Sequence, residues 1–90
     1  MAISRIVETG ATPEQYDQVR SHVGLSDSKP SGCQLHIAGR GEDGKIRIIE
    51  VWESREQADE FAEKIRAARE ELGVGGQPTI TFLEVHNLIQ

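Results

Sequence analysis

Hydrophobic and polar positions alternate or recur along the chain in six blocks. Ile3, Ile6 and Val7 fall in the short segment from Ala2 to Thr9, which suits a strand broken by Gly10. Thr12-Pro13-Glu14-Gln15 predicts a helix start. Thr12 caps free N–H groups, Pro13 sits where a missing N–H costs nothing, and Gln15 can complete a capping box. Tyr16, Val19 and Val23 follow at helical spacing, and Gly24 is the expected stop. Leu25 to Gly32 is polar and punctuated by Pro and Gly, hence loop. Cys33 to Ala38 predicts a second strand with Leu35 and Ile37 on one face and Gln34, His36 and Ala38 on the other. Lys45 to Glu53 is a third strand, the richest in β-branched residues. Ser54-Arg55-Glu56-Gln57 repeats the capping-box pattern. Ala58, Phe61, Ala62, Ile65, Ala68 and Leu72 form one apolar helical stripe, with Glu60 and Lys64 able to pair on the outer face. Gly73 ends that helix, in a last turn expected to fray because Glu70 and Glu71 oppose its dipole. A Gly-rich link leads to a long fourth strand from Thr79 to Ile89.

The order is βαββαβ over a single domain, residues 1–90. It is the ferredoxin-like α+β plan: a four-stranded antiparallel sheet with two helices on one face. The sheet pattern then raises a difficulty. In the third strand Ile46, Ile48 and Trp52 oppose Ile49 and Val51; in the fourth, Ile80, Phe82 and Leu88 oppose Leu83, Val85 and Ile89. Both faces are apolar, and two helices cover only one. Burial is worth about 25 cal/mol per Å², so a wet apolar face forfeits many kcal/mol and invites aggregation. A second copy packed sheet to sheet about a two-fold axis, closing a dimeric α/β barrel, is the expected solution.

Composition narrows the function classes. Ninety residues bury a modest core, which also favours help from a partner. Fifteen acidic against ten basic residues give a net charge of −5, which opposes binding to a phosphate backbone. RNA-recognition domains share the strand order, but they need aromatic residues on the central strands for base stacking, and the third strand offers only Trp52. No nucleic-acid partner is expected. No apolar run approaches a membrane span, and the first residues lack a signal-peptide core, so no membrane association and a cytoplasmic location are expected. A single cysteine excludes an internal disulfide, and Cys33 reads as a small buried thiol. His22, His36 and His86 lack metal-ligand spacing, so no metal is expected. The string Gly39-Arg40-Gly41-Glu42-Asp43-Gly44 fits GxGxxG. However, a strand follows it in place of a helix, and two carboxylates would repel phosphate; it is a hairpin turn.

The chemistry concentrates in the middle strands. His36 is a candidate general base. Glu50 interrupts an otherwise apolar strand, and burial there is expected to raise its pKa toward a useful acid or base. Trp52, on the face of Glu50, could offer a ring to an aromatic ligand. Whether His36 shares that face depends on a hairpin register that the turn leaves open. The structural alternative has Glu50 paired with Arg5, Arg47 or His36 and Trp52 in the core. Tyr16, on the apolar stripe of the first helix, reads as core with a hydrogen-bonded hydroxyl and a possible pocket contact. Phe82 and His86 share a face with Glu84 and could extend a pocket or lie at a dimer seam.

The strand Arg47-Ile48-Ile49-Glu50-Val51-Trp52-Glu53-Ser54 before a helix, with Leu35-His36-Ile37-Ala38-Gly39 and Val85-His86-Asn87-Leu88, resembles the dimeric α+β barrel superfamily, near the antibiotic-biosynthesis monooxygenase group. The resemblance spans nearly the whole chain. It implies a homodimer with a pocket between sheet and helices in each subunit. It also implies relatives among cofactor-free oxygenases of aromatic polyketides, haem-degrading oxygenases and small isomerases. Haem-degrading members use an Asn in the first strand, a Trp in the third and a His on the second helix; only Trp52 has its counterpart here. The expected function is therefore a small-molecule-binding barrel. As an enzyme it would be a cofactor-independent monooxygenase or isomerase/cyclase, with His36 or Glu50 moving a proton and Trp52 stacking on an aromatic or polyketide-like substrate. The alternative is a non-catalytic ligand-sensing or stress-associated barrel, or a purely structural dimerisation unit.

Overall fold

The computed structural model describes residues 2–25 and 28–89. Its elements are β1 (Ile3–Glu8), α1 (Pro13–His22), β2 (Cys33–Arg40), β3 (Ile46–Trp52), α2 (Arg55–Leu72) and β4 (Thr79–Glu84). The strands form one antiparallel sheet in the order β2-β3-β1-β4, with the two βαβ units interleaved. This is the ferredoxin-like α+β fold.

Both helices start where their caps dictate. Thr12 accepts from the Gln15 N–H while the Gln15 side chain accepts from the Thr12 N–H, closing the predicted capping box around α1. Ser54 caps α2 by accepting from the Gln57 N–H, but the reciprocal half of the box is absent. The Gln57 side chain instead accepts from the Ser54 hydroxyl. Gly73 closes α2 in the left-handed region at φ 70°, where a side chain would be strained. The expected Glu60–Lys64 pair is replaced among the described residues by Arg55–Asp59 and by Arg66 with Glu63 and Glu70. Glu71 reaches His22 of α1.

The helix-side core has two parts that meet at Ile65. One joins Cys33, Trp52, Ala58 and Phe61; the other joins Val19, Ala68 and Val74. Cys33 enters this core because an irregularity between Cys33 and Leu35 breaks the alternation of β2. β4 is shorter than predicted. It ends at Glu84, and 85–89 lie beyond the sheet ladder except for one bond from the Val85 N–H to the Ala2 carbonyl. The predicted opposition of Leu88 and Ile89 across this strand therefore does not occur.

The registers settle which residues share a face. Arg5 stands opposite Glu50 on one side and Phe82 on the other, and Glu50 stands opposite His36. These cross-strand neighbours point toward the helices, with Val7, Ile48 and Trp52. The opposite face presents Ile37, Ile49 and Leu83, which remain 49%, 42% and 52% exposed in the single chain. Among the described residues no helix is long and apolar enough to cross a membrane.

Candidate functional site

The row Arg5–Glu50–His36 crosses three strands beneath α1, and every polar atom of the Glu50 carboxylate is used. Oε1 accepts from Arg5 NH1 at 3.0 Å and from the Trp52 indole N–H at 3.1 Å. Oε2 contacts His36 Nδ1 at 2.8 Å. Glu50 itself is 2% exposed. Burial alone would push its pKa up, as the sequence suggested. The hydrogen bonds from His36 and Trp52 and the charge of Arg5 outweigh that push, and the pKa is held below the ordinary carboxylate range. The expectation of a raised, proton-donating Glu50 is thus corrected: it is a fixed carboxylate that orients other groups.

A carboxylate can only accept, so His36 Nδ1 carries a hydrogen and donates it. That leaves Nε2 facing the Tyr16 hydroxyl at 2.6 Å. In the neutral imidazole, Nε2 accepts from the Tyr16 O–H. The two rings lie nearly parallel, 19° apart, with centroids 6.0 Å apart. Burial raises the Tyr16 pKa, Arg20 opposes this, and Glu50 and Asp17 add to it, so the resting residue is a neutral phenol. The line Tyr16–His36–Glu50 repeats the logic of a catalytic triad: a terminal hydroxyl, a base that can take its proton, and a carboxylate that fixes the base's tautomer.

Tyr16, His36 and Glu50 form one wall of a cavity between sheet and helices. Its volume is about 80 Å³, and its other walls include Val7, Val19, Ile48, Phe61 and Ile65. The volume lies below the roughly 300–1,000 Å³ of drug-sized ligand sites, so as it stands the cavity suits a small molecule. Among the described residues, no three of His, Cys, Asp and Glu converge as metal ligands.

The structure does not bring every predicted residue to this cavity. Trp52 is fully buried against Phe61, with ring centroids 5.5 Å apart. It offers no face to a ligand, and its contribution is the indole bond that holds Glu50. Phe82 lies under the Arg55 guanidinium, 3.5 Å from the ring centroid, and is outside the cavity walls. His86 is exposed, past the end of β4, and is likewise not among them. Three arginines also line the cavity: Arg5, which the sequence offered as a partner of Glu50 and which pairs with it, and Arg20 and Arg69, which it did not single out. The signal was present for two of them. Arg5 alternates with Ile3 and Val7 on a core-facing strand, and Arg20 follows Tyr16 by one helical turn beside Val19. Cys33 donates to the Leu35 carbonyl, and burial pushes its thiol up, away from reactivity.

No family model matches the chain, and no curated protein does. Solved structures do. A Mycobacterium tuberculosis protein, Rv0793, superposes with a TM-score of 0.71 at 15% identity, covering 100% of both chains. A candidate antibiotic biosynthesis monooxygenase from Deinococcus radiodurans gives 0.63 at 21% identity, covering 100% of this chain and 97% of its own. The monooxygenase ActVA-Orf6 of Streptomyces coelicolor, solved with nanaomycin D, gives 0.61 at 20% identity, covering 99% and 90%. The chain therefore shares its ferredoxin-like α+β fold with antibiotic biosynthesis monooxygenase-type proteins.

Proposed function

We propose that this chain binds a small molecule in the cavity between sheet and helices. We propose further that it removes a proton from that molecule through Tyr16 and His36, as a cofactor-independent monooxygenase or an isomerase/cyclase does. The observation that carries the reading is the Tyr16–His36–Glu50 line at the cavity wall. Tyr16 presents an oxygen lone pair to the ligand. As that oxygen gains a proton from the ligand, its own proton passes to His36 Nε2, and Glu50 supports the imidazolium that results. An acidic C–H beside a carbonyl is the bond this arrangement can break. The resulting carbanion can isomerise, cyclise or reduce dioxygen. The ActVA-Orf6 likeness supports an aromatic, polyketide-like substrate, although a ligand of that size needs the cavity to open beyond its present volume.

The same reading takes the chain as a homodimer. Ile37, Ile49 and Leu83 form an apolar patch on the sheet face away from the helices, and a second copy packed there removes it from water and supports the barrel.

The test is turnover of a panel of anthrones, naphthohydroquinones and enolisable ketones, read by oxygen uptake and by solvent hydrogen exchange. Nanaomycin D binding is followed in parallel by NMR. Tyr16→Phe and His36→Ala are each expected to lower kcat by about 10²–10⁴-fold, the usual contribution of positioned acid–base groups, with binding retained. Full activity in His36→Ala rejects the relay.

A further inference from the structure

The cavity's charge is unbalanced. Among the described residues its walls carry three arginines, Arg5, Arg20 and Arg69, and a single carboxylate, Glu50. Glu50 is committed to Arg5. Arg69 spends NH2 on the carbonyls of Gly75 and Gly76. Arg20 is only 7% exposed, gives NH2 to the Ser28 carbonyl, and leaves Nε and NH1 without a partner among the described residues. The nearest acid on its own helix, Asp17, is exposed and does not pair with it among those residues. The C-terminal end of α1 offsets part of its charge, but among the described residues no side chain neutralises it. A buried guanidinium with idle donors is costly unless something answers it. The imbalance stands out in a chain whose net charge is −5, because an apolar cavity concentrates the field of its own few charges.

We propose that the ligand of this cavity is a small organic acid bound as its carboxylate, with the negative charge set against Arg20 and the apolar tail against Val7, Val19 and Phe61. The inference rests on the reading of this cavity as a ligand site, and it adds the chemical class. Tyr16 lies one helical turn from Arg20, so a carboxylate held by the guanidinium places the adjacent carbon near the Tyr16 hydroxyl.

The experiment compares butyrate with butyramide, which match in shape and differ in charge. Each is titrated into the whole protein at constant ionic strength and followed by ¹H–¹⁵N NMR, including the His36 ring signals. Butyrate is expected to bind at least about tenfold more tightly than butyramide, the preference one charge-assisted hydrogen bond confers. Arg20→Met is expected to erase the preference, and Arg20→Lys to keep much of it. Because Arg20→Met also loses the bond to Ser28, the Arg20→Lys result and the wild-type comparison carry the test if that variant unfolds. Equal binding of the two probes by the wild type overturns the carboxylate assignment and leaves the cavity as a ligand site. Saturation by neither probe overturns both. Inorganic phosphate is the third arm. If it displaces butyrate at equal concentration, the selectivity for a carboxylate is rejected.

Discussion

Glu50→Gln separates charge from shape at the centre of the site. Glutamine keeps the volume and can still accept from Arg5 and Trp52 through its carbonyl oxygen. The negative charge is lost, and Arg5, 8% exposed, becomes a buried cation without a counter-charge. Removing one partner of a buried pair costs about 3–5 kcal/mol, and because glutamine retains hydrogen bonds the lower end, about 3 kcal/mol, is expected. In a domain of this size that lowers Tm by roughly 12–24 °C. The amide N–H₂ would also face His36 Nδ1, a donor against a donor, which forces the hydrogen onto Nε2 and removes the base that Tyr16 addresses. The substitution also carries a pH signature. The folded-state pKa of Glu50 lies below the ordinary carboxylate range. Its stabilisation is therefore fully present above the unfolded-state value and is lost as pH falls through the lower, folded-state value. Wild type should lose stability below about pH 4.5 with a Glu50 component that Glu50→Gln lacks. Calorimetry or urea unfolding at a series of pH values reads both effects. A Tm within about 4 °C of wild type at pH 7, or an unchanged acid limb, refutes the account of Glu50 as the anchor of the site. Adding Arg5→Met to Glu50→Gln should recover part of the loss, because the stranded charge leaves with Arg5.

Two further outcomes test the frame around the site. Thr12→Ala removes the cap of α1, the helix that carries Tyr16 and Arg20, and should cost about 1 kcal/mol in urea unfolding. Ile49→Lys places a charge at the centre of the exposed apolar sheet face. If that face joins two copies, sedimentation equilibrium should show wild type as a dimer and the variant as a monomer; a wild-type monomer at low micromolar concentration rejects the homodimer.

The element order, both helix starts and the sheet's two apolar faces were legible in the sequence because they follow from local rules: capping residues, periods of 2 and 3.6, and glycine stops. β4 was overextended because Val85, Leu88 and Ile89 continue an apolar pattern that carries no information about where a ladder partner ends. His36, Glu50 and Tyr16 were recognisable as chemically significant residues. Their union was not, because it depends on the β2–β3 register, where a slip of one residue sends His36 to the opposite face. The direction of the Glu50 pKa was beyond the sequence for the same reason. Burial alone argues for a rise, and only the convergence of Arg5, Trp52 and His36 from three strands reverses it. Trp52 looked like a ligand platform by type and proved to be a buried donor by position. The idle guanidinium of Arg20 is likewise a tertiary fact: the chain supplies an arginine one turn from Tyr16, and only its burial in the fold leaves Nε and NH1 without a partner among the described residues.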